Sequence, residues 1–219
     1  MKVTNVNYSY ADKQVLKGFS IEILDEKVTC ILGKSGAGKT TFLSYLAGLL
    51  EVKPDYAYSV SMVFQEPRLI EHLTVLENLT LISKDVLRAE NLLRDVGLID
   101  RKNDYPSALS GGEKQRVNFA RAFMKDFDLC LLDEPFASLD TALKIELCLV
   151  FVTLLKKYGK TAVLVTHDVE EGLMLSNKIA ILSEGRISEE IILPSDNIPR
   201  EYGSLVNERK KILDIILKR

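Results

Sequence analysis

Two short stretches of this sequence have the make-up of anion grips. "GKSGAGKT", Gly33 to Thr40, matches the whole of the G-x-x-x-x-G-K-[ST] pattern. Gly33, Gly36 and Gly38 let the backbone curl, so that successive N–H groups, those of Lys34, Ser35 and Ala37 among them, point inward at phosphate oxygens. The following helix, with Thr41 in its first turn, adds the positive end of its dipole. Lys39 has the reach for the β- and γ-phosphates. The Thr40 hydroxyl is a hard oxygen ligand suited to Mg²⁺. The second stretch is "LSGGEKQR", Leu109 to Arg116. Ser110 would cap a helix that opens with Gly111 and Gly112, again the outline of an anion-binding N-terminus. A short chain with two phosphate grips needs a reason for the second.

The acid–base groups stand elsewhere. "LCLLDEP" reads as a buried strand with Asp133 and Glu134 at its carboxyl end, where open α/β sheets bind ligands. Asp133 would hold Mg²⁺ through a water, and Glu134 would accept the proton of an attacking water. "TAVLVTHD" puts His167 at the same end of the next strand. A neutral imidazole there could donate to a γ-phosphate oxygen and keep water and glutamate in register. His72, in the polar turn "IEHLT", gets no chemical role.

These groups need a scaffold. "SIEIL", "VTCILG", "SVSMVF", "FDLCLLDEP" and "TAVLVTHD" read as strands. "KIAILSEGRISEEII" reads as two strands about the turn "SEGR". Helical spacing follows the phosphate loop, with Phe42, Leu43, Leu46, Leu49 and Leu50 on one face. It recurs from Leu73 to Asp100, after Ser110, from Thr141 to Tyr158 with a stop at Gly159, briefly in "VEEGLMLS", and in the amphipathic tail. Strands alternating with helices predict an α/β fold with a mainly parallel core sheet. The stretch from Glu66 to about Arg121 breaks the alternation and is expected as a helical lobe inserted into that core. The expected division of this single domain is 1–65 and 122–192 for the nucleotide-binding core, 66–121 for the helical lobe and 193–219 for a helical tail.

Composition narrows the classes further. The 219 residues are 47% hydrophobic and 27% charged, with net charge −2. That balance gives no footing for broad electrostatic binding to nucleic acid or anionic lipid. Cys30, Cys130 and Cys148 each sit in an apolar run without metal-ligand spacing, which predicts buried reduced thiols and a cytosolic compartment. The N-terminus lacks the apolar core of a signal peptide. The greasiest run, Leu147 to Leu155, falls far short of the ~20 residues that span a bilayer.

GKSGAGKT, LSGGEKQR, LCLLDEP, "SLD" at Ser138 to Asp140 and VTHD stand in the order of the ABC (ATP-binding cassette) ATPases, which the chain resembles from about Val3 to Ile192. The resemblance implies a phosphate-loop NTPase core with a small antiparallel β lobe. It implies ATP as substrate and Mg²⁺ as cofactor. It assigns Gln65 of "VFQE" to the metal and the attacking water, Asp140 to the nucleotide interface, and Tyr10 to stacking on adenine. In the family two cassettes pair head to tail, and each ATP lies between the phosphate loop of one and the LSGGQ-type loop of the other. That would give the second grip its reason, since the loop on the helical lobe cannot reach its own phosphate loop. Two departures stand out. Glu113 replaces a frequent glutamine, and Thr40 and Gln65 are only 25 residues apart, so the β lobe looks trimmed.

"VFQEPRLIEHLTVLENL" further resembles the nitrate/sulfonate/taurine-type importer ATPases. That likeness implies a chain peripheral to the inner face of the cell membrane, bound to integral membrane permease subunits and, through them, to an extracytoplasmic solute-binding protein. Glu66, Pro67, Leu69 and Leu73 would line the permease-docking groove, Leu73 being equally a residue of the lobe's own core. The alternative is a soluble non-transport ABC ATPase of the DNA-maintenance or translation-factor type. Those chains carry coiled coils or a second cassette, and neither is present.

Overall fold

The computed structural model describes residues 1–54, 58–137, 139–194 and 197–217. Its frame is a six-stranded sheet in the order β4-β5-β6-β3-β7-β8. β3 (Val28–Leu32) runs into the phosphate loop, and α1 (Lys39–Leu46) leaves it. β4 (Val60–Val63), β5 (Leu129–Asp133), β6 (Thr161–Thr166) and β7 (Lys178–Ser183) lie parallel with β3, and β8 (Arg186–Ile192) closes the edge antiparallel to β7. β3 is buried along its whole length and β5 to its last residue, as the continuous apolar runs require of strands covered on both faces.

At the N-terminus, β1 (Lys2–Tyr10) and β2 (Lys13–Glu22) form an antiparallel hairpin. Only its end, within "SIEIL", is visible as alternation in the sequence. Register shifts at Val3/Val6 and Val6/Tyr8, with Asn5 at φ 52°, break the period of two, so the buried Val3, Val6, Leu16 and Phe19 do not alternate cleanly. Phe19 packs on Phe42 of α1, ring centroids 4.2 Å apart, which fastens the hairpin to the helix behind the phosphate loop. The small antiparallel lobe is therefore this N-terminal hairpin. Among the described residues between Leu46 and Val60 there is no strand.

The helical pattern over Leu73 to Asp100 resolves into two helices. Thr74 caps α2 (Val75–Thr80) in a reciprocal box with Glu77, and Asp85 accepts from Arg88 N–H to start α3 (Val86–Asp95). Two local caps outcompete one continuous period. α1 also ends earlier than its spacing implies, at Leu46, and Leu49 is 68% exposed rather than on the buried face. α4 (Gly111–Ala122) follows Ser110, α5 (Thr141–Tyr158) stops at Gly159 with φ 57°, and α6 (Val169–Leu175) follows β6. The tail helix α7 (Val206–Leu217) packs on α6, where Arg209 pairs with Glu170. The three cysteines are free and buried, and burial raises all three thiols far above the range in which they ionise.

Candidate active site

Parallel β3, β5 and β6 deliver the predicted groups to one end of the sheet. The phosphate loop follows β3, Asp133 and Glu134 end β5, and His167 ends β6. Thr40 Oγ1 donates to Asp133 Oδ1 at 3.3 Å, across 93 residues of chain. Lys39 is buried, and its ammonium donates to Gly33 O at 2.8 Å and Lys34 O at 3.2 Å inside the loop. It also lies 3.5 Å from Glu134 Oε1. Lys34, Ser35 and Gly36 are exposed, Ala37 is half-buried and Thr41 is buried in α1. Gly38 sits at φ 107°, a conformation closed to side chains, with Val15 and Leu16 against it.

Glu134 holds its backbone at φ 46°, left-handed and rare for a glutamate. That twist turns the chain out of β5 immediately after Asp133. His167 is exposed, and its Nδ1 stands 2.9 Å from Glu134 Oε2, so Nδ1–H donates to the carboxylate. A neutral ring in that tautomer leaves Nε2 as an acceptor. Donation from His167 to a phosphate oxygen therefore needs the imidazolium or a broken contact with Glu134, which the sequence-level role did not foresee.

Asp133 is half-buried. Burial pushes its carboxyl above the usual range, and the neighbouring Glu134 charge adds to this, against the Thr40 hydrogen bond. A buried carboxylate beside a hydroxyl is a cation-seeking pair. Among the described residues no three His, Cys, Asp or Glu gather as a metal set. Mg²⁺ ordinarily takes one or two carboxylates and completes its shell with phosphate oxygens and water, so the donors Thr40 and Asp133 fit it. Gln65, exposed two residues past β4, lies at the same end of the sheet. Tyr10, 50% exposed, meets Tyr8 edge-on at 4.9 Å.

The signature loop is built differently. Ser110 Oγ accepts from Glu113 N–H, and the Glu113 carboxylate accepts from Ser110 N–H. That capping box holds the Glu113 carboxyl below its usual range and leaves the Ser110 hydroxyl hydrogen free to donate. The two glycines differ sharply. A side chain on Gly112 would collide with Leu143 of α5, 2.6 Å from the built Cβ, whereas one on Gly111 would meet open space. Neither has the positive φ that favours glycine. Among the described residues nothing in its own chain explains why Gly111 is bare. Asp140 caps α5, accepting from Leu143 N–H at 3.0 Å, and Ser138 lies outside the described residues.

Several supporting residues escaped the sequence reading. Gln115, Asn118 and Arg121, spaced three apart on α4, donate to Pro135 O, Phe64 O and Pro67 O, which ties α4 to both sides of Gln65 and to the residue after Glu134. Burial lowers the Arg121 pKa. The i, i+3, i+6 spacing of polar groups on a buried helix face was the available signal. Ile215 and Ile216 of α7 line a cavity of about 300 Å³ that the phosphate loop also lines.

A family model described as "ABC transporter" matches residues 16–137. The chain is 37% identical over 210 residues to the aliphatic sulfonates import ATP-binding protein SsuB 2 of Pseudomonas syringae pv. syringae, covering 93% of this chain and 76% of that one. Among solved structures, cbiO1 of Clostridium perfringens, described as part of the ABC transporter complex cbiONQ, superposes with TM-score 0.80 at 26% identity, over 100% of this chain and 95% of that one. The ATP-binding cassette MJ0796, in a dimeric post-hydrolysis state bound to ADP and Pi, superposes with TM-score 0.72 at 28% identity, over 89% of this chain and 99% of that one. By the family model and by these relatives, the chain belongs to the ABC transporter family as an ATP-binding, ATP-hydrolysing subunit.

Proposed function

We propose that the chain powers solute import by pairing head to tail with a second copy of itself beneath a membrane permease. The observation that carries the pairing is Gly111. Replacing a glycine by alanine where the backbone permits it gains ~0.4–1 kcal/mol. Here neither backbone angle nor intrachain crowding calls for the glycine, so the space is kept for something outside the chain. A triphosphate held by the partner's phosphate loop is the ligand that Ser110, the Gly111 and Gly112 N–H groups and the α4 N-terminus are shaped to grip.

In this reading Gly33 to Thr40 cradle the triphosphate of ATP, and Lys39 exchanges its loop carbonyls and Glu134 for the β- and γ-phosphates. Thr40, Asp133 and Gln65 would hold Mg²⁺, which when bound supplies neutralising charge at the phosphates. Glu134, released from Lys39, takes the proton of the attacking water, while His167 fixes the carboxylate. Tyr10 stacks on the adenine, and Asp140 faces the partner across the interface. The core 1–65 and 122–192 binds the nucleotide, and the lobe 66–121 presents the signature loop to the other copy.

Among the described residues no helix is long and apolar enough to cross a membrane. We place the chain on the cytoplasmic face, docked on integral membrane permease subunits through Glu66, Pro67, Leu69 and Leu73. Leu69 packs partly buried against the lobe core, Leu73 is half-buried, and Leu81, Val86 and Leu87 are exposed at the α2–α3 junction of the same lobe. Import is supported by the SsuB relatives. An extracytoplasmic solute-binding protein and the permease select the solute. The test is cysteine crosslinking. Leu69→Cys or Leu73→Cys should couple to a cytoplasmic loop of the permease in an active complex, and silence from both would remove the docking claim.

A further inference from the structure

The first turn of α5 touches two loops that face different ways. Leu143 fills the space that a side chain on Gly112 would need, so α5 and the signature loop are in van der Waals contact there. The next residue, Lys144, turns to the other side. Its ammonium donates to Asp168 Oδ2 at 2.5 Å and pairs with Glu171 Oε1 at 2.8 Å, and Glu171 is 2% exposed. Thr166 completes the cluster, donating to Glu171 Oε2 at 2.6 Å and accepting from Asp168 N–H at 3.0 Å. Thr166 and Asp168 flank His167 directly.

Burial opposes the Lys144 charge, yet the bonds to Asp168 and Glu171 outweigh it and hold the ammonium above the usual lysine range. A half-buried ion cluster adds little net stability over apolar residues of similar size, so fold strength alone does not account for it. Its geometric effect is specific. It fixes both neighbours of a histidine whose ring is the only contact holding Glu134 Oε2 among those described.

We propose that the first turn of α5 is a positioning element that couples the signature loop to the His167–Glu134 pair, Leu143 reading the signature loop and Lys144 setting the histidine. The proposal rests on the head-to-tail reading, in which the signature loop serves the partner's ATP and His167 serves the chain's own. Adjacent residues of one helical turn then answer to two different nucleotides. Closure of the signature loop on one triphosphate presses Leu143 and, through Lys144, aligns the catalytic pair at the other. The two sites hydrolyse cooperatively for that reason.

The test uses the purified full chain and MgATP. Unaltered protein should give a sigmoidal rate curve, with a Hill coefficient between one and the limit of two set by two sites. Lys144→Met/Glu171→Gln removes the Lys144–Glu171 ion pair as a unit, and Leu143→Ala removes the signature contact. Each should bring the Hill coefficient to about 1 and lower kcat roughly tenfold, with half-saturating ATP little changed, and Lys144→Arg should keep the cooperativity. ATP-driven dimerisation of each variant, in a Glu134→Gln background, should match the parent. Parent-like cooperativity in both variants, or a kcat loss that only tracks a loss of thermal stability, overturns the coupling while leaving the dimer intact. A parent that stays monomeric in Glu134→Gln form overturns the head-to-tail reading and the coupling with it.

Discussion

His167 Nδ1 donates to Glu134 Oε2 at 2.9 Å, so the carboxylate proposed as the general base is held by a residue 33 positions away, just past the end of the neighbouring strand. Its other oxygen lies 3.5 Å from the Lys39 ammonium. Glu134 is thus shared between Lys39, the proposed phosphate-binding cation, and His167.

Glu134→Gln keeps the side chain's size and its contact with His167 but cannot take a proton. Turnover should fall by roughly 10²–10⁴-fold, the usual worth of a general base, with ATP binding retained. The variant should accumulate as an ATP-bound dimer in size-exclusion chromatography. A variant that hydrolyses ATP at the parental rate would remove Glu134 from its role.

Lys39→Ala should weaken ATP binding by at least about tenfold, each decade being about 1.4 kcal/mol. The ammonium's bonds to Gly33 O and Lys34 O lie within the loop, so the fold should persist. Titration calorimetry with ATP checks the first point and circular dichroism the second.

The two signature glycines should respond in opposite directions. Gly111→Ala puts a methyl in open space on an exposed helix start and should raise stability by ~0.4–1 kcal/mol, while ATP-driven dimerisation and turnover collapse. Gly112→Ala drives its methyl toward Leu143 and should cost about 1–3 kcal/mol by overpacking. Thermal melts read beside dimerisation assays separate the two. Equal loss of stability would contradict the open face at Gly111.

Asp133 carries a pKa raised chiefly by burial, so its protonated form is the one the fold prefers. Its stability contribution is full below the unfolded value of about 3.9 and is lost as pH rises through the folded value. Nucleotide-free Asp133→Asn should therefore be more stable than the parent at neutral pH, and the difference should shrink on acidification. Its MgATP hydrolysis should be lost. Melting curves across the acid range, without nucleotide, test the sign. A less stable Asn variant at neutral pH would refute it.

The phosphate loop, Asp133, Glu134, His167 and Ser110 were legible in the sequence because each lies at the end of a regular element. A strand or helix boundary is written in local residue types, and a parallel sheet then carries the groups to one end. The stop of α5 at Gly159 was local in the same way. By contrast, the helical pattern from Leu73 to Asp100 did not reveal that the Thr74 and Asp85 caps divide it into two helices. Most of the β1–β2 hairpin was hidden because its bulges erased the alternation.

By itself the sequence determined which chemistry is present and on which kind of element, since those are short-range properties of spacing and type. Only the tertiary structure decided what each group answers to. It set Glu134 between Lys39 and His167, gave Gly112 to Leu143 while leaving Gly111 open, and joined Lys144 to the histidine loop. Such contacts join residues tens of positions apart, and they depend on how strands order in the sheet and how helices pack across it. No local pattern encodes that order, because it is selected by burial of the whole core at once.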